Sequence, residues 1–170
     1  MRAFLIVLIL FFAANCDAQS HIPKQTPGEL HISLNISGGM LGAYTRITID
    51  GRDLKFDELK GNQPEPLKWS ATISDEDLAK LYKAFVDNKF DTIKNDTRKG
   101  VVYDAGSENI SISSGASFSF HISSGPNSPL SGRNLKRYKA VSQAIDDLVS
   151  QYRDKKTTEL PRRTNESKGL

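Results

Sequence analysis

The sequence predicts an α+β domain with two layers, in which a mainly antiparallel sheet carries two helices on one face. Apolar residues alternate with polar ones in several short segments, which is typical of half-buried strands. Two longer segments instead repeat apolar residues at helical spacing. Because the strands come as hairpins, neighbours along the chain are expected to pair antiparallel. The predicted order is strand, strand, short strand, helix, strand, strand, helix.

The first hairpin is predicted to begin after Glu29. Residues 30–36 alternate between apolar and polar side chains, which indicates a strand with one buried face. A second β-rich run covers residues 44–49. It leads into Asp50-Gly51, a dipeptide that predicts a type I′ turn because both central residues of that turn need positive φ.

A third short strand is predicted over residues 54–56, and an extended conformation is favoured for residues 67–73. Ser74 is then predicted to begin an amphipathic helix, with Asp77 three residues later in an arrangement similar to a capping box. This helix is expected to end near Asn88. Its apolar stripe has helical spacing and consists of Leu78, Leu81, Tyr82 and Phe85.

The second hairpin is predicted around a turn at residues 114–116. Apolar residues alternate on both sides of that turn, over residues 110–112 and 118–122, and the second run is aromatic. The last helix is predicted over residues 134–152. Its narrow apolar seam is spaced by three and four residues and consists of Tyr138, Val141, Ile145, Leu148 and Tyr152.

Both ends of the chain are predicted to lie outside the fold. Residues 3–14 are apolar and uncharged, which suits a secretory h-region but is shorter than the ~20 residues that span a bilayer. We therefore expect a signal peptide over residues 1–18. Residues 19–28 are predicted to be a tether and residues 29–154 a single domain. The polar tail over residues 155–170 is predicted to be disordered.

The only cysteine, Cys16, leaves two modes of export open. Cleavage after Ala18 would release a secreted or periplasmic protein without cysteine, and hence without a disulfide or a thiolate nucleophile. In the alternative, Cys16 is lipidated and the protein is a membrane-anchored lipoprotein. A membrane is therefore an expected partner only if Cys16 is lipidated.

The sequence contains no recognisable catalytic or metal-binding arrangement. It lacks a Gly-x-Ser-x-Gly elbow, a His-Glu-x-x-His motif and a Cys-x-x-Cys motif. Of the three histidines, His21 lies in the predicted tether, while His31 and His121 occupy strand positions that face away from the core. The latter two could meet only if their strands were neighbours. We therefore expect a non-enzymatic protein with no cofactor and no metal.

The distribution of charge argues against nucleic acid as a partner. The net charge of the chain is +3. Residues 153–170 alone hold six basic and three acidic side chains, which accounts for all of it. The folded body is therefore close to neutral, whereas nucleic-acid binding requires a concentrated basic face.

The connection between the first two strands is the most unusual feature of the sequence. It holds three glycines, Gly38, Gly39 and Gly42, and two hydrophobic residues, Met40 and Leu41. The glycines permit positive φ and close approach of another backbone. Met40 and Leu41 are therefore candidates for insertion into a pocket of a partner protein. The alternative is that they fold back over the edge of the sheet.

Residues 36–42, Ile-Ser-Gly-Gly-Met-Leu-Gly, precede a strand with Arg46 and Asp50, a helix over residues 78–85, and then Asp104, two strands and a last helix. This order resembles emfourin-like small exported bacterial proteins, over about residues 30–150. That family inhibits thermolysin-like zinc metalloproteases and typically carries a Ser-Gly-Gly-Phe-Ala-Gly-type turn. Residue by residue, only the three glycines of the turn match, and the link over residues 51–70 is longer here.

The resemblance implies a metalloprotease as the partner. The expected function is accordingly that of an exported, non-enzymatic domain that binds another protein and inhibits a thermolysin-like metalloprotease through the glycine-rich turn. The alternative is a lipid-anchored envelope or surface lipoprotein with a structural or assembly role.

Overall fold

One layer of the structure is a six-stranded antiparallel sheet with strand order β4-β3-β2-β1-β5-β6. The structure is a computed structural model that describes residues 20–38, 42–97, 100–103 and 105–159, with side chains to residue 154. The strands are β1 (His31–Ser37), β2 (Tyr44–Asp50), β3 (Asp53–Leu59), β4 (Leu67–Thr72), β5 (Ser107–Ser114) and β6 (Phe118–Ser124). The helices are α1 (Asp75–Asp87), a short 3-10 helix (Phe90–Thr92) and α2 (Gly132–Glu159). The predicted α+β class and the antiparallel pairing are confirmed.

Both helices cover the same face of the sheet. The register places Ile32 of β1 between Ile49 of β2 and Ile112 of β5, and all three side chains are buried. The apolar side of each strand joins one continuous core with the two helices. The buried helix residues include the predicted ones: Leu78, Leu81, Tyr82, Phe85, Tyr138, Val141, Ile145, Leu148 and Tyr152.

The start of α1 is tied to α2. The Ser74 hydroxyl accepts a hydrogen bond from the Asp77 backbone N–H at 3.1 Å, as the capping pattern predicted. The phenol of Tyr152 in turn donates to Asp77 Oδ2 at 2.7 Å and accepts from the Ser74 N–H at 2.9 Å. One tyrosine of α2 therefore fixes both cap residues of α1.

Residues 67–72, for which an extended conformation was favoured, form the edge strand β4, which confirms that prediction. Trp69 lies at the edge of the core and stacks on Phe56 of β3, with ring centroids 5.3 Å apart.

The turn between β2 and β3 differs from the prediction. Asp50 pairs with Asp53, so the two loop residues are Gly51 and Arg52. Of these two, only Gly51 has positive φ, at 55°. This fits a type II′ turn, because a type I′ turn needs positive φ at both positions.

The prediction of a tether over residues 19–28 is wrong for the residues that the structure describes. Ile22 is buried in the core, only 4% exposed. The Ser20 hydroxyl donates to Asp91 Oδ1 at 2.8 Å, and the Tyr82 hydroxyl donates to the Pro23 carbonyl at 2.8 Å. The segment lacks apolar periodicity because it packs as an irregular strap, in which a single isoleucine supplies the buried surface.

The last helix is longer than predicted at both ends. It begins at Gly132, and it continues through Glu159 into the tail that was predicted to be disordered from residue 155. The helix continues because residues 155–159, Lys-Lys-Thr-Thr-Glu, contain neither Gly nor Pro, so no residue there interrupts backbone hydrogen bonding. Residues 160–170 and the predicted signal peptide lie outside the described residues.

Candidate protein-binding surface

One end of the sheet carries the candidate site. There β1, β3 and β6 end, and β2, β4 and β5 begin; we call it the loop end. It carries both ends of the connection between β1 and β2, the loop over residues 60–66, the described residues of the connection before β5, and the turn over residues 125–128. The described part of the chain leaves four large hydrophobic side chains exposed: Leu67, Val101, Val102 and Tyr103. All four lie at the loop end.

The apolar segment of residues 101–103 is highly exposed but held in place. Val101 is 70% exposed and Tyr103 is 86% exposed. The side chain of Asn127 binds both backbone polar groups of Val102. Its Oδ1 accepts from the Val102 N–H and its Nδ2 donates to the Val102 carbonyl, both at 2.8 Å. The amide therefore pairs with Val102 much as a neighbouring strand would.

Close backbone approaches connect the elements of the loop end. A Cβ built on Gly106 would lie 2.6 Å from the Ser37 carbonyl oxygen, closer than two such atoms can approach. A Cβ on Gly125 would lie 3.0 Å from the Gly106 carbonyl oxygen. Because glycine has no side chain, the end of β1, the start of β5 and the turn after β6 can pack backbone to backbone.

The base of the glycine-rich turn is formed as a hairpin closure. The Gly38 N–H donates to the Ala43 carbonyl at 2.7 Å, and Gly42 has a positive φ of 63°. Of the five predicted binding residues, Gly38 and Gly42 are therefore placed at the loop end. Gly39, Met40 and Leu41 lie outside the described residues, as do Cys16 and Asp104.

Asn95 is a second amide that organises this end. Its Nδ2 donates to the Ser123 carbonyl at 2.7 Å and to the Ser128 carbonyl at 3.0 Å. It joins the loop before β5 to the last residues of β6. Neither asparagine clamp was predicted, because Asn is common in any loop. The apolar segment did have a signal in the sequence, since Val101, Val102 and Tyr103 are three consecutive hydrophobic residues within a polar loop.

Several charged side chains beside the loop end are paired with one another. On the uncovered face of the sheet the Tyr44 hydroxyl donates to Asp57 Oδ1 at 3.0 Å, and Lys68 Nζ lies 3.6 Å from Asp57 Oδ2. The hydrogen bond to Asp57 raises the pKa of the Tyr44 phenol, and desolvation adds to this. The guanidinium of Arg46 lies 5.7 Å from the centre of the Tyr44 ring. The described residues of this flank therefore present no concentrated charge of one sign.

The two strand histidines do not form a site together. The register places His31 on β1 and His121 on β6, with β5 between them, so their strands are separated by about 10 Å. His31 Nδ1 lies 3.9 Å from Asp50 Oδ1, whereas His121 Nε2 contacts the Ser123 hydroxyl at 3.2 Å. Across residues 20–38, 42–97, 100–103 and 105–154, no three His, Cys, Asp or Glu side chains converge as metal ligands.

No protein-family model matches the sequence, and no curated protein matches it. The resemblance to emfourin-like proteins accordingly stays a hypothesis. Within the described part of the chain, no helix combines the length and the apolar composition needed to cross a bilayer.

Proposed function

We propose that the chain is an exported, non-enzymatic domain that binds another protein through the loop end. The supporting observation is that the four exposed large hydrophobic side chains of the described residues all lie at this one end. Three of the four are consecutive, residues 101–103, and Leu67 lies at the opposite edge of the same end. An exposed apolar cluster such as residues 101–103 is typical of protein interaction sites, whereas single scattered side chains are ordinary. The turn that contains Met40 and Leu41 begins and ends in the same region.

The dimensions and the rigidity of the loop end suit a protein partner. Leu67 lies on one edge strand and Val102 beside the other, so five strand spacings, about 24 Å, separate the two edges. A standard protein interface of ~800 Å² per partner has a comparable width. The backbone of Val102 is already fixed by Asn127, which reduces the entropy lost when a partner binds.

We further propose that the partner is a thermolysin-like metalloprotease, on the strength of the resemblance carried by residues 36–42. The domain would then act by occupying the substrate cleft with Met40, Leu41 and the apolar segment of residues 101–103. Inhibition of this kind needs shape and rigidity, and no reacting side chain of the inhibitor.

A peptidase assay tests the inhibitor hypothesis. Micromolar exported protein should slow peptide hydrolysis by a thermolysin-like protease, and Val101→Asp and Tyr103→Asp should each weaken inhibition about tenfold or more, since a buried interface residue is worth over ~1.4 kcal/mol. Ala116→Asp is the matched control, because Ala116 is exposed on the turn at the opposite end of the sheet. If the protein did not slow hydrolysis, a thermolysin-like protease would be ruled out as the partner. If all variants inhibited equally well, the loop end would be ruled out as the inhibitory surface.

Site-specific photocrosslinking in the producing cell tests protein binding independently of the protease. A photoreactive amino acid at Tyr103 should give discrete adducts of higher mass, whereas the same group at Ala116 should give none. If neither position gave an adduct, or both gave the same ones, binding through the loop end would be refuted.

Mass spectrometry of the N-terminal peptide of the mature protein tests export. A chain that starts at Gln19 indicates cleavage by signal peptidase, and an acylated Cys16 indicates the lipoprotein alternative. Recovery of the uncleaved chain from the cytosol would contradict both.

A further inference from the structure

The edge strand β6 lacks the usual protection against pairing with another chain. Residues 118–124, Phe-Ser-Phe-His-Ile-Ser-Ser, contain no Lys, Arg, Asp, Glu or Pro. Exposed edges in natural proteins commonly carry such residues, because an unpaired row of backbone groups is a template for another strand. The opposite edge strand, β4, carries Lys68.

The hydrogen bonds of the sheet show which backbone groups of β6 point outward. The Ser107 N–H is directed towards β1, where it donates to the Ser37 hydroxyl at 3.1 Å. Backbone groups alternate along a strand, so the even-numbered residues of β5 pair with β6. With Ser111 opposite His121, the odd-numbered residues of β6 must turn their N–H and C=O groups away from β5.

Over residues 118–122, the described part of the chain leaves the outward edge of β6 unpaired. The carbonyl of Ser123 is already occupied, since it accepts from Asn95 Nδ2 at 2.7 Å. No hydrogen bond formed by the described residues uses the outward backbone groups of Ser119 or His121. A donor and an acceptor at each of these residues are therefore available to another strand.

The helix-facing side of the same segment is apolar and only partly covered. The rings of Phe118 and Phe120 stack with centroids 5.8 Å apart, and both are half-buried, as is Ile122. Another strand placed against the edge would cover the apolar surface that these three side chains leave exposed.

We propose that β6 pairs with β6 of a second copy of this chain, antiparallel about a two-fold axis at Phe120. In this register Ser119 hydrogen-bonds His121 of the second copy, Phe120 lies opposite Phe120, and Phe118 lies opposite Ile122. A second copy is the occupant that fits best, because the free segment is neutral and apolar on its helix-facing side. It is thus complementary to itself and meets no like charge.

The pairing would join two six-stranded sheets into one of twelve strands. Since the two β6 strands run in opposite directions, the two loop ends would point away from each other. Each dimer would then present two separate binding surfaces. The dimer itself does not depend on what the loop end binds.

Cysteine crosslinking tests both the dimer and its register. Phe120→Cys would place two thiols in a non-hydrogen-bonded antiparallel pair, where the Cα atoms lie ~4.5 Å apart, within the range for a disulfide. The processed variant should therefore form a covalent dimer under mild oxidation. Ser119→Cys is the control, because residue 119 opposes residue 121 and should crosslink at least tenfold more slowly. Equal crosslinking of both variants would overturn the register.

Sedimentation velocity of the processed protein tests the dimer without cysteine. The wild type should sediment as a dimer at micromolar concentrations, and Ser119→Lys/His121→Lys should dissociate it at least tenfold, since the lysines would face each other across the interface. Ser70→Lys/Thr72→Lys, the same change on the edge strand β4, should leave the dimer intact. A monomeric wild type up to 100 µM, or a dimer that tolerates the β6 lysines, would refute the proposal.

Discussion

The side-chain amide of Asn127 and the backbone of Val102 form a closed pair of hydrogen bonds, both 2.8 Å long. One side chain thereby holds the most exposed apolar segment of the described chain in a fixed position. We infer that the loop end is organised before any partner arrives.

Asn127→Ala should release that segment. The Val102 amide would lose its acceptor, and its hydrogen exchange should accelerate about tenfold, as expected for the loss of ~1.4 kcal/mol of hydrogen-bonding free energy. Exchange measured by NMR checks this, with the Ile112 amide in the central sheet as an internal reference. An unchanged rate at Val102 would show that Asn127 does not restrain the loop.

Ile22→Ala should destabilise the fold by about 2–4 kcal/mol, because it removes most of a fully buried side chain. A tether would give no such effect. Urea unfolding measures the change, and Lys24→Ala, an exposed position in the same segment, should stay within ~0.5 kcal/mol of the wild type. Equal stabilities of the two variants would indicate that the strap does not pack in solution.

Gly106→Ala should cost about 1–3 kcal/mol of stability, because its Cβ would press on the Ser37 carbonyl oxygen. Gly28→Ala is the matched control, since a Cβ there meets nothing within 4 Å. Since alanine lowers the conformational entropy of the unfolded chain, Gly28→Ala should leave the free energy of unfolding unchanged or raise it slightly. Thermal unfolding of both variants separates a steric effect from a general loss of glycine flexibility.

Tyr138→Phe should stabilise the protein by about 1 kcal/mol at pH 7, because the buried Tyr138 hydroxyl has no hydrogen-bond partner among the described residues. The Glu108 Oε1 atom is likewise buried without a hydrogen-bond partner among the described residues. Urea unfolding at pH 7 measures the difference. A loss of more than 1 kcal/mol would indicate that a partner satisfies the hydroxyl in solution.

The same substitution should change the pH dependence of stability. Burial, followed by the charge of Glu108, raises the pKa of Tyr138 above its ordinary value of 10.0. The folded state therefore keeps the phenol protonated where the unfolded chain ionises. The corresponding stability is complete below pH 10 and is lost as the pH rises above it. Wild-type stability should fall more steeply than that of Tyr138→Phe between pH 10 and 11; parallel curves would contradict the shift.

The candidate site was only partly predictable from the sequence. Gly38 and Gly42 could be assigned to a turn, because a cluster of glycines between two alternating segments is a local pattern. The exposed segment of residues 101–103 was not predicted to belong to the site, because it lies within a polar loop. Its clamp, Asn127, is 25 positions from Val102 along the chain and carries no local signature.

The α+β class, the hairpins and the apolar faces of both helices could be predicted from the sequence, because periods of 2 and 3.6 residues appear among residues close together in the chain. The packing of the predicted tether as a strap depends instead on long-range contacts, since the hydrogen bond of Ser20 with Asp91 joins residues 71 positions apart. Long-range pairing also places Leu67 and the segment of residues 101–103 at the same end of the sheet, on opposite edges. The direction of β5 follows from its antiparallel pairing with β1, which no local pattern encodes.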